Sequence, residues 1–256
     1  MSIKVNVLRQ ENADTESYWQ SYDYSGELSI SVATLINSIN SEIVEKEEGE
    51  RPIRWDCSCE QGLCGACAMV VNDKPGLSCQ IFCDELVKEN KEITIQALSK
   101  FPVISDLAVD RSQMFDAMKE MKLWLEEPAK VRTANLPMQY DVSQCLMCGS
   151  CLEACPNYSL GGTFAGMSSA MSMVNLTLLS EDKAFKKDYT KRVYNGCSKS
   201  LACQEVCPME IPIVEAISKM NRVSVWSMWQ MFGSSGKTDK DKAVFTNVEL
   251  QNALEV

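Results

Sequence analysis

Histidine is absent from all 256 residues. Its absence excludes Ser-His and Cys-His catalytic pairs, His-containing zinc sites, Rieske clusters and His-ligated haem. Long apolar runs are also missing: no stretch approaches the ~18 consecutive apolar residues of a membrane-spanning helix. The first thirty residues contain neither an apolar signal core nor an Arg- and Ser-rich, acid-poor presequence, so no secretory or organellar leader is expected. No G-x-G-x-x-G and no P-loop occurs, which leaves no dinucleotide or nucleotide fingerprint. Positive charge is scarce, with 25 Lys and Arg against 35 Asp and Glu and a net charge of −10. That balance argues against nucleic acid or an anionic membrane surface as the main partner. The chain reads as an intracellular protein or the peripheral subunit of something larger.

What the chain does have is cysteine, 13 in all. The number is odd and the residues fall into three tight groups, at 57–83, 145–155 and 197–207. A secreted disulfide scaffold would be shorter and more evenly stapled, so the grouping reads as metal sites in a reducing compartment.

Cys59, Cys64 and Cys67 stand in C-x4-C-x2-C spacing with Cys79 beyond them, the plant-type pattern for a 2Fe–2S cluster. A short loop must wrap such a cluster, and Gly62 and Gly65 allow the tight turns that aim backbone N–H groups at sulfur. A four-thiolate zinc site is the competing reading, but it favours two C-x2-C knuckles and only one is present. Cys57 and Cys83 lie outside the spacing and read as packed or idle thiols.

Cys145, Cys148, Cys151 and Cys155-Pro156 form the bacterial-type run C-x2-C-x2-C-x3-C-P, in which the last Cys serves the other cluster. Cys197, Cys203 and Cys207-Pro208 repeat it with Ser200 in the middle cysteine position. Exchanging the two C-P ends assigns Cys145, Cys148, Cys151 and Cys207 to a 4Fe–4S cluster. Cys155, Cys197 and Cys203 then remain, three thiolates that suit 3Fe–4S. A fourth iron held through the Ser200 oxygen is the alternative.

Hydrophobic periodicity supplies the frame. Alternation at Ile3, Val5 and Val7 and again at Leu28 and Ile30 predicts strands, followed by a helix over 32–43. A hairpin is expected at 68–71, turning over 72–76, and another strand at 93–97. Met114, Met118, Met121 and Leu125 form a helical stripe that reads as core, and 213–223 looks helical. The expected fold is α+β: a 2Fe–2S domain over 1–100, a helical 4Fe–4S/3Fe–4S domain over 101–232 and a polar tail over 233–256. An apolar aromatic stretch (Val225, Trp226, Met228, Trp229, Met231, Phe232) reads as buried core or as an interface.

A plant-type motif followed by a full and then a defective C-P run resembles the iron–sulfur subunit of succinate dehydrogenase and fumarate reductase. The likeness covers roughly residues 3–230, including FPVISDLAVDRSQMFDAMKEMKLWL, which is similar to that family's interdomain linker and following helix. It implies a β-grasp ferredoxin domain, a helical ferredoxin domain, and the same eleven ligands for 2Fe–2S, 4Fe–4S and 3Fe–4S centres. It further implies an FAD-containing flavoprotein partner, a cytochrome b type membrane anchor with quinone and possible haem, and a place on the cytoplasmic face of a prokaryotic cell membrane. In ubiquinone-reducing members a His follows the first Cys of the last run and a Trp lies five residues past the first C-P Cys. Ser198 and Leu160 stand there instead, as in menaquinone-linked members. The other readings are the iron–sulfur subunit of a different flavin-dependent dehydrogenase and a free ferredoxin-like carrier.

Overall fold

The structure, a computed structural model, describes residues 2–46, 49–88, 92–126, 128–179, 184–225 and 245–246. The aromatic stretch beyond Val225 and nearly all of the polar tail lie outside the described residues.

Alternation at the start of the chain produces β1 (Ile3–Arg9), which turns Ile3, Val5 and Val7 into the core. Its antiparallel partner is β2 (Tyr18–Tyr24), not the expected strand at Leu28–Ile30, where the chain is bent. β2 is an edge strand with Tyr18 and Trp19 exposed, so its sequence lacks the apolar alternation of a half-buried strand. Next comes α1 (Val32–Lys46). The Ser31 hydroxyl caps it by accepting from the Thr34 N–H at 3.2 Å, and Val32, Leu35, Ile36, Ile39 and Ile43 form the buried stripe.

β3 (Ala68–Val71) and β4 (Lys74–Leu77) form the expected hairpin. Its turn is shorter than the five residues expected, because Asn72 and Asp73 both take left-handed φ (45° and 63°) and close it in two. The short α2 (Cys83–Val87) leads to β5 (Glu92–Gln96), which runs parallel to β1 and antiparallel to β3. The sheet order is thus β2-β1-β5-β3-β4, a β-grasp arrangement with α1 contributing to the core.

A small hairpin, β6 (Val103–Ser105) and β7 (Ala108–Val109), turns at Asp106 with φ 46°. The Asp106 carboxylate accepts from Arg9 Nε at 2.9 Å, from both Arg51 terminal nitrogens at 2.8 and 2.9 Å, and from the Arg54 N–H at 2.9 Å. Arg9 is 1% exposed and also donates to Tyr22 Oη and to the Arg51 and Pro52 carbonyls. Every donor of this buried charge finds an acceptor, which is what makes burying it tolerable. Burial alone would raise the Asp106 pKa, but the bonds from Arg9, the Arg54 N–H and Arg51 hold it below the ordinary carboxylate value.

Helices then dominate: α3 (Ser112–Glu120), α4 (Leu136–Ser143), α5 (Ser150–Glu153), α6 (Gly166–Leu179), α7 (Ala184–Arg192), α8 (Ala202–Glu205) and α9 (Ile213–Ser224). A two-residue pair, β8 (Lys130–Val131) with β9 (Phe245–Thr246), accompanies them. Met114 and Met121 are buried as the stripe predicts. The helix itself stops at Glu120 because Lys122 takes φ 50°, so Leu125 is not on it. In the helical region α6 packs against α4, α7 and α9, and α9 buries Ile213, Ala216, Ile217 and Met220. Among the described residues no helix is long and apolar enough to cross a membrane.

The chain divides into two compact units. One comprises 1–111 with 146–154 and 206–208, and the other comprises 112–145, 155–205 and 209–256. The chain therefore threads back into the first unit twice, each time with a piece of a cysteine run.

Candidate metal centres

Cys59, Cys64, Cys67 and Cys79 are brought together, with the closest approaches in pairs. The Cys67 and Cys79 sulfurs lie 3.3 Å apart, and the Cys64 thiol hydrogen-bonds Cys59. The backbone turns by left-handed φ at Gly62 (74°) and Gly65 (76°). Those turns aim the Gln61 and Leu63 N–H groups at Cys59 Sγ (3.4 and 3.3 Å) and the Ala66 N–H at Cys64 Sγ (3.5 Å). The Gln61 and Leu63 N–H groups, followed by the Cys64 thiol, draw the Cys59 pKa down to about 7. Cys79 moves the other way, to about 11, through burial and its bond with Cys67. Of the four, Cys59 is the thiol whose surroundings favour the thiolate, the state needed to bind iron.

Cys57 is exposed, and burial followed by nearby Glu60 and Cys67 raises its pKa. Cys83 is wholly buried in the first core, where burial pushes its thiol up to about 12. Neither belongs to the hydrogen-bonded set.

The first C-P run divides between the two units. Cys148 and Cys151 fall in the first unit with Cys207, and Cys145 is the residue immediately before their segment. Within that unit the Glu153 carboxylate accepts from Ser99 Oγ (2.6 Å) and the Lys100 N–H (3.0 Å), tying α5 down. Gly149 caps α5 at φ 93°, and a Cβ there would press on Phe101 at 3.1 Å. Gly65 is closer still to its neighbours. A Cβ on it would meet the Leu146 carbonyl oxygen at 2.8 Å and Cys148 Cβ at 3.0 Å, so only glycine permits the approach.

Cys155, Cys197 and Cys203 line one small pocket in the second unit, with Ser200 in the same wall. Burial, then Cys197 and Cys155, raises Cys203 to about 11. The loop turns at Lys199 (φ 61°) and Leu201 (φ 66°), on either side of Ser200. Ser198 donates to Asn157 Oδ1 at 3.0 Å, and Asn157 Nδ2 donates to the Gly196 carbonyl at 2.7 Å. Leu160 is 52% exposed.

Among the described residues no three potential ligand side chains converge on the position of one metal ion. Paired or spread thiols suit iron–sulfur clusters, where sulfide completes each iron, better than a four-thiolate zinc knuckle. Two groups escaped the sequence reading: Arg111, whose guanidinium reaches the backbone around Cys67, and the Gly65 approach. Arg111 sits in an ordinary helix-start context, and nothing in one dimension marks either contact.

Fold and sites together define a two-part iron–sulfur protein of the ferredoxin type. The comparisons agree. Residues 4–116 match the family described as 2Fe-2S iron-sulfur cluster binding domain, and residues 141–211 match the 4Fe-4S dicluster domain. The succinate dehydrogenase iron-sulfur subunit of Bacillus subtilis is 31% identical over 91% of this chain and 97% of that protein. The fumarate reductase iron-sulfur subunit of Wolinella succinogenes is 24% identical over 88% and 97%. A chain of the Mycobacterium smegmatis Sdh1 complex in the apo form shares the fold, with TM-score 0.69 and 19% identity over 87% of this chain and 96% of that one. The chain belongs to the family of succinate dehydrogenase and fumarate reductase iron–sulfur subunits.

Proposed function

We propose that this chain relays electrons between FAD in a flavoprotein subunit and a quinone, with menaquinone favoured, at a cytochrome b type membrane anchor. It works as a peripheral subunit on the cytoplasmic face of the prokaryotic cell membrane, in a domain over 1–100 and another over 101–232. Cys59, Cys64, Cys67 and Cys79 hold the 2Fe–2S cluster. Cys145, Cys148, Cys151 and Cys207 hold 4Fe–4S, and Cys155, Cys197 and Cys203 hold 3Fe–4S. The clusters supply one-electron storage. The chain's residues supply the rest: N–H groups aimed at Cys59 and Cys64, and a pocket walled by three thiols. With no His and no nucleotide fingerprint, the chemistry on succinate or fumarate falls to the partner. Ser198 and Leu160, which stand where ubiquinone-linked relatives carry His and Trp, support the menaquinone side.

The observation that carries this reading is the three-thiol cavity with Ser200 in its wall. A three-iron centre has an odd electron count when oxidised, so the oxidised protein is expected to show an electron paramagnetic resonance signal. Ser200→Cys is expected to extinguish that signal by completing a four-iron site. A silent oxidised wild type would remove the 3Fe–4S assignment, and an unchanged signal in the variant would undo the exchange of C-P ends.

A further inference from the structure

Arg111 ends the first unit just past the β6–β7 hairpin, where the Asp110 N–H donates to the Pro102 carbonyl at 2.8 Å. Its Nη2 donates to the Ala66 carbonyl at 3.0 Å and the Ala68 carbonyl at 3.4 Å, so the guanidinium bridges the two residues flanking Cys67. Its Nε is buried and has no hydrogen-bond partner among the described residues. The side chain is half-buried, and both carbonyls that it bonds are neutral, so those bonds leave its positive charge intact. N–H dipoles already point at Cys59 and Cys64.

We propose that Arg111 is a positioning and tuning residue that raises the reduction potential of the centre held by Cys67. This rests on the 2Fe–2S reading of Cys59, Cys64, Cys67 and Cys79. The electron that reduces the centre adds one negative charge with no proton, and a fixed cation beside a ligand backbone stabilises that charge. Over about 10 Å at an effective dielectric near 20, a unit charge shifts the reduction equilibrium roughly tenfold, about 59 mV for one electron. Sequence distance hides the effect, because Arg111 lies far along the chain from Cys67.

The test is a redox titration of the 2Fe–2S resonance in the purified, fully loaded chain. Arg111→Gln is expected to lower the midpoint by about the tenfold equivalent while leaving the other two centres unmoved. Arg111→Lys keeps the charge and is expected to restore most of the shift. Arg111→Met keeps the apolar stem and is expected to match the Gln variant, which secures the result if Gln alone impairs assembly. An unchanged midpoint in both neutral variants overturns the proposal, as does a Lys variant shifted as far as they are. Failure of both neutral variants to assemble the cluster, with Lys assembling it, also overturns it, because the residue then acts in folding. A wild type with no 2Fe–2S signal at all would instead sink the ligand reading on which the inference rests.

Discussion

On the assignment proposed above, the loop from Cys59 to Cys67 and the loop from Cys197 to Cys203 do the same work with different backbones. The first makes two of its left-handed turns at Gly62 and Gly65 and only one, Glu60, with a side-chain-bearing residue. The second makes both of its turns with side-chain-bearing residues, Lys199 and Leu201. Left-handed φ costs an L-residue about 1–2 kcal/mol, so the last loop stores strain that the first largely avoids. The frames differ as well. The first loop follows a segment pinned by the buried Arg9–Asp106 pair and the part-exposed Arg51, whereas the ion pair Arg192–Glu120 in the second unit is surface-exposed on its Glu side. The first loop is preset by its frame. The last depends more on what the thiols bind, and it is expected to lose iron first under a chelator.

The largest effect should fall on a single ligand. Cys59→Ala is expected to abolish the 2Fe–2S resonance of the reduced protein while the oxidised-state three-iron signal persists, showing that the loops load independently. Cys57→Ala, two residues away and outside the bonded set, should leave both signals in place; loss of the 2Fe–2S resonance there would reassign the first ligand.

Next in size is the frame under the first loop. Asp106→Asn breaks a buried ion pair and should cost about 3–5 kcal/mol in urea unfolding of the loaded chain. The pH dependence has a definite sign. The folded Asp106 pKa is depressed, so its stabilisation is fully present above the ordinary value of about 4 and is lost as pH falls through the lower folded value. The acid limb of the stability curve should therefore flatten in the variant. An unaltered acid limb would mean the cluster of charges contributes little.

The smallest effect compares the loops directly. Gly62→Ala should destabilise the cluster-free chain by about 1 kcal/mol, since its new Cβ meets only the flexible Gln80 side chain and the cost is mainly backbone strain. Lys199→Gly should stabilise it by up to about 1 kcal/mol through relief of the same strain. Thermal melts of the chelated protein check both, and equal signs would erase the contrast between the loops.

Much of this was legible in one dimension, and the parts that were not share a cause. The β1 alternation, the α1 stripe and the Asn72-Asp73 hairpin reflect local periods and turn chemistry, which sequence carries directly. The cysteine spacings are equally local. β2 was misplaced because an edge strand rich in Tyr, Gln and Ser obeys its partner's hydrogen bonds more than any apolar period. The stripe through Met121 overran because one left-handed residue, Lys122, ends α3 without a Gly or Pro to announce it. Arg9, Asp106 and Arg111 were invisible for a different reason. Their partners lie far away in sequence, and an isolated charged residue reads as solvated surface until the fold removes the water.

Position 65 holds a hydrogen atom where almost any other residue would hold carbon. That atom is all that insulates the backbone bearing Cys64 and Cys67 from the Leu146 carbonyl and the Cys148 side chain. On the ligand assignment proposed above, that contact joins the loop of the first centre to the run that serves the second. A residue with no side chain and no chemistry of its own thus sets how closely those two loops can approach.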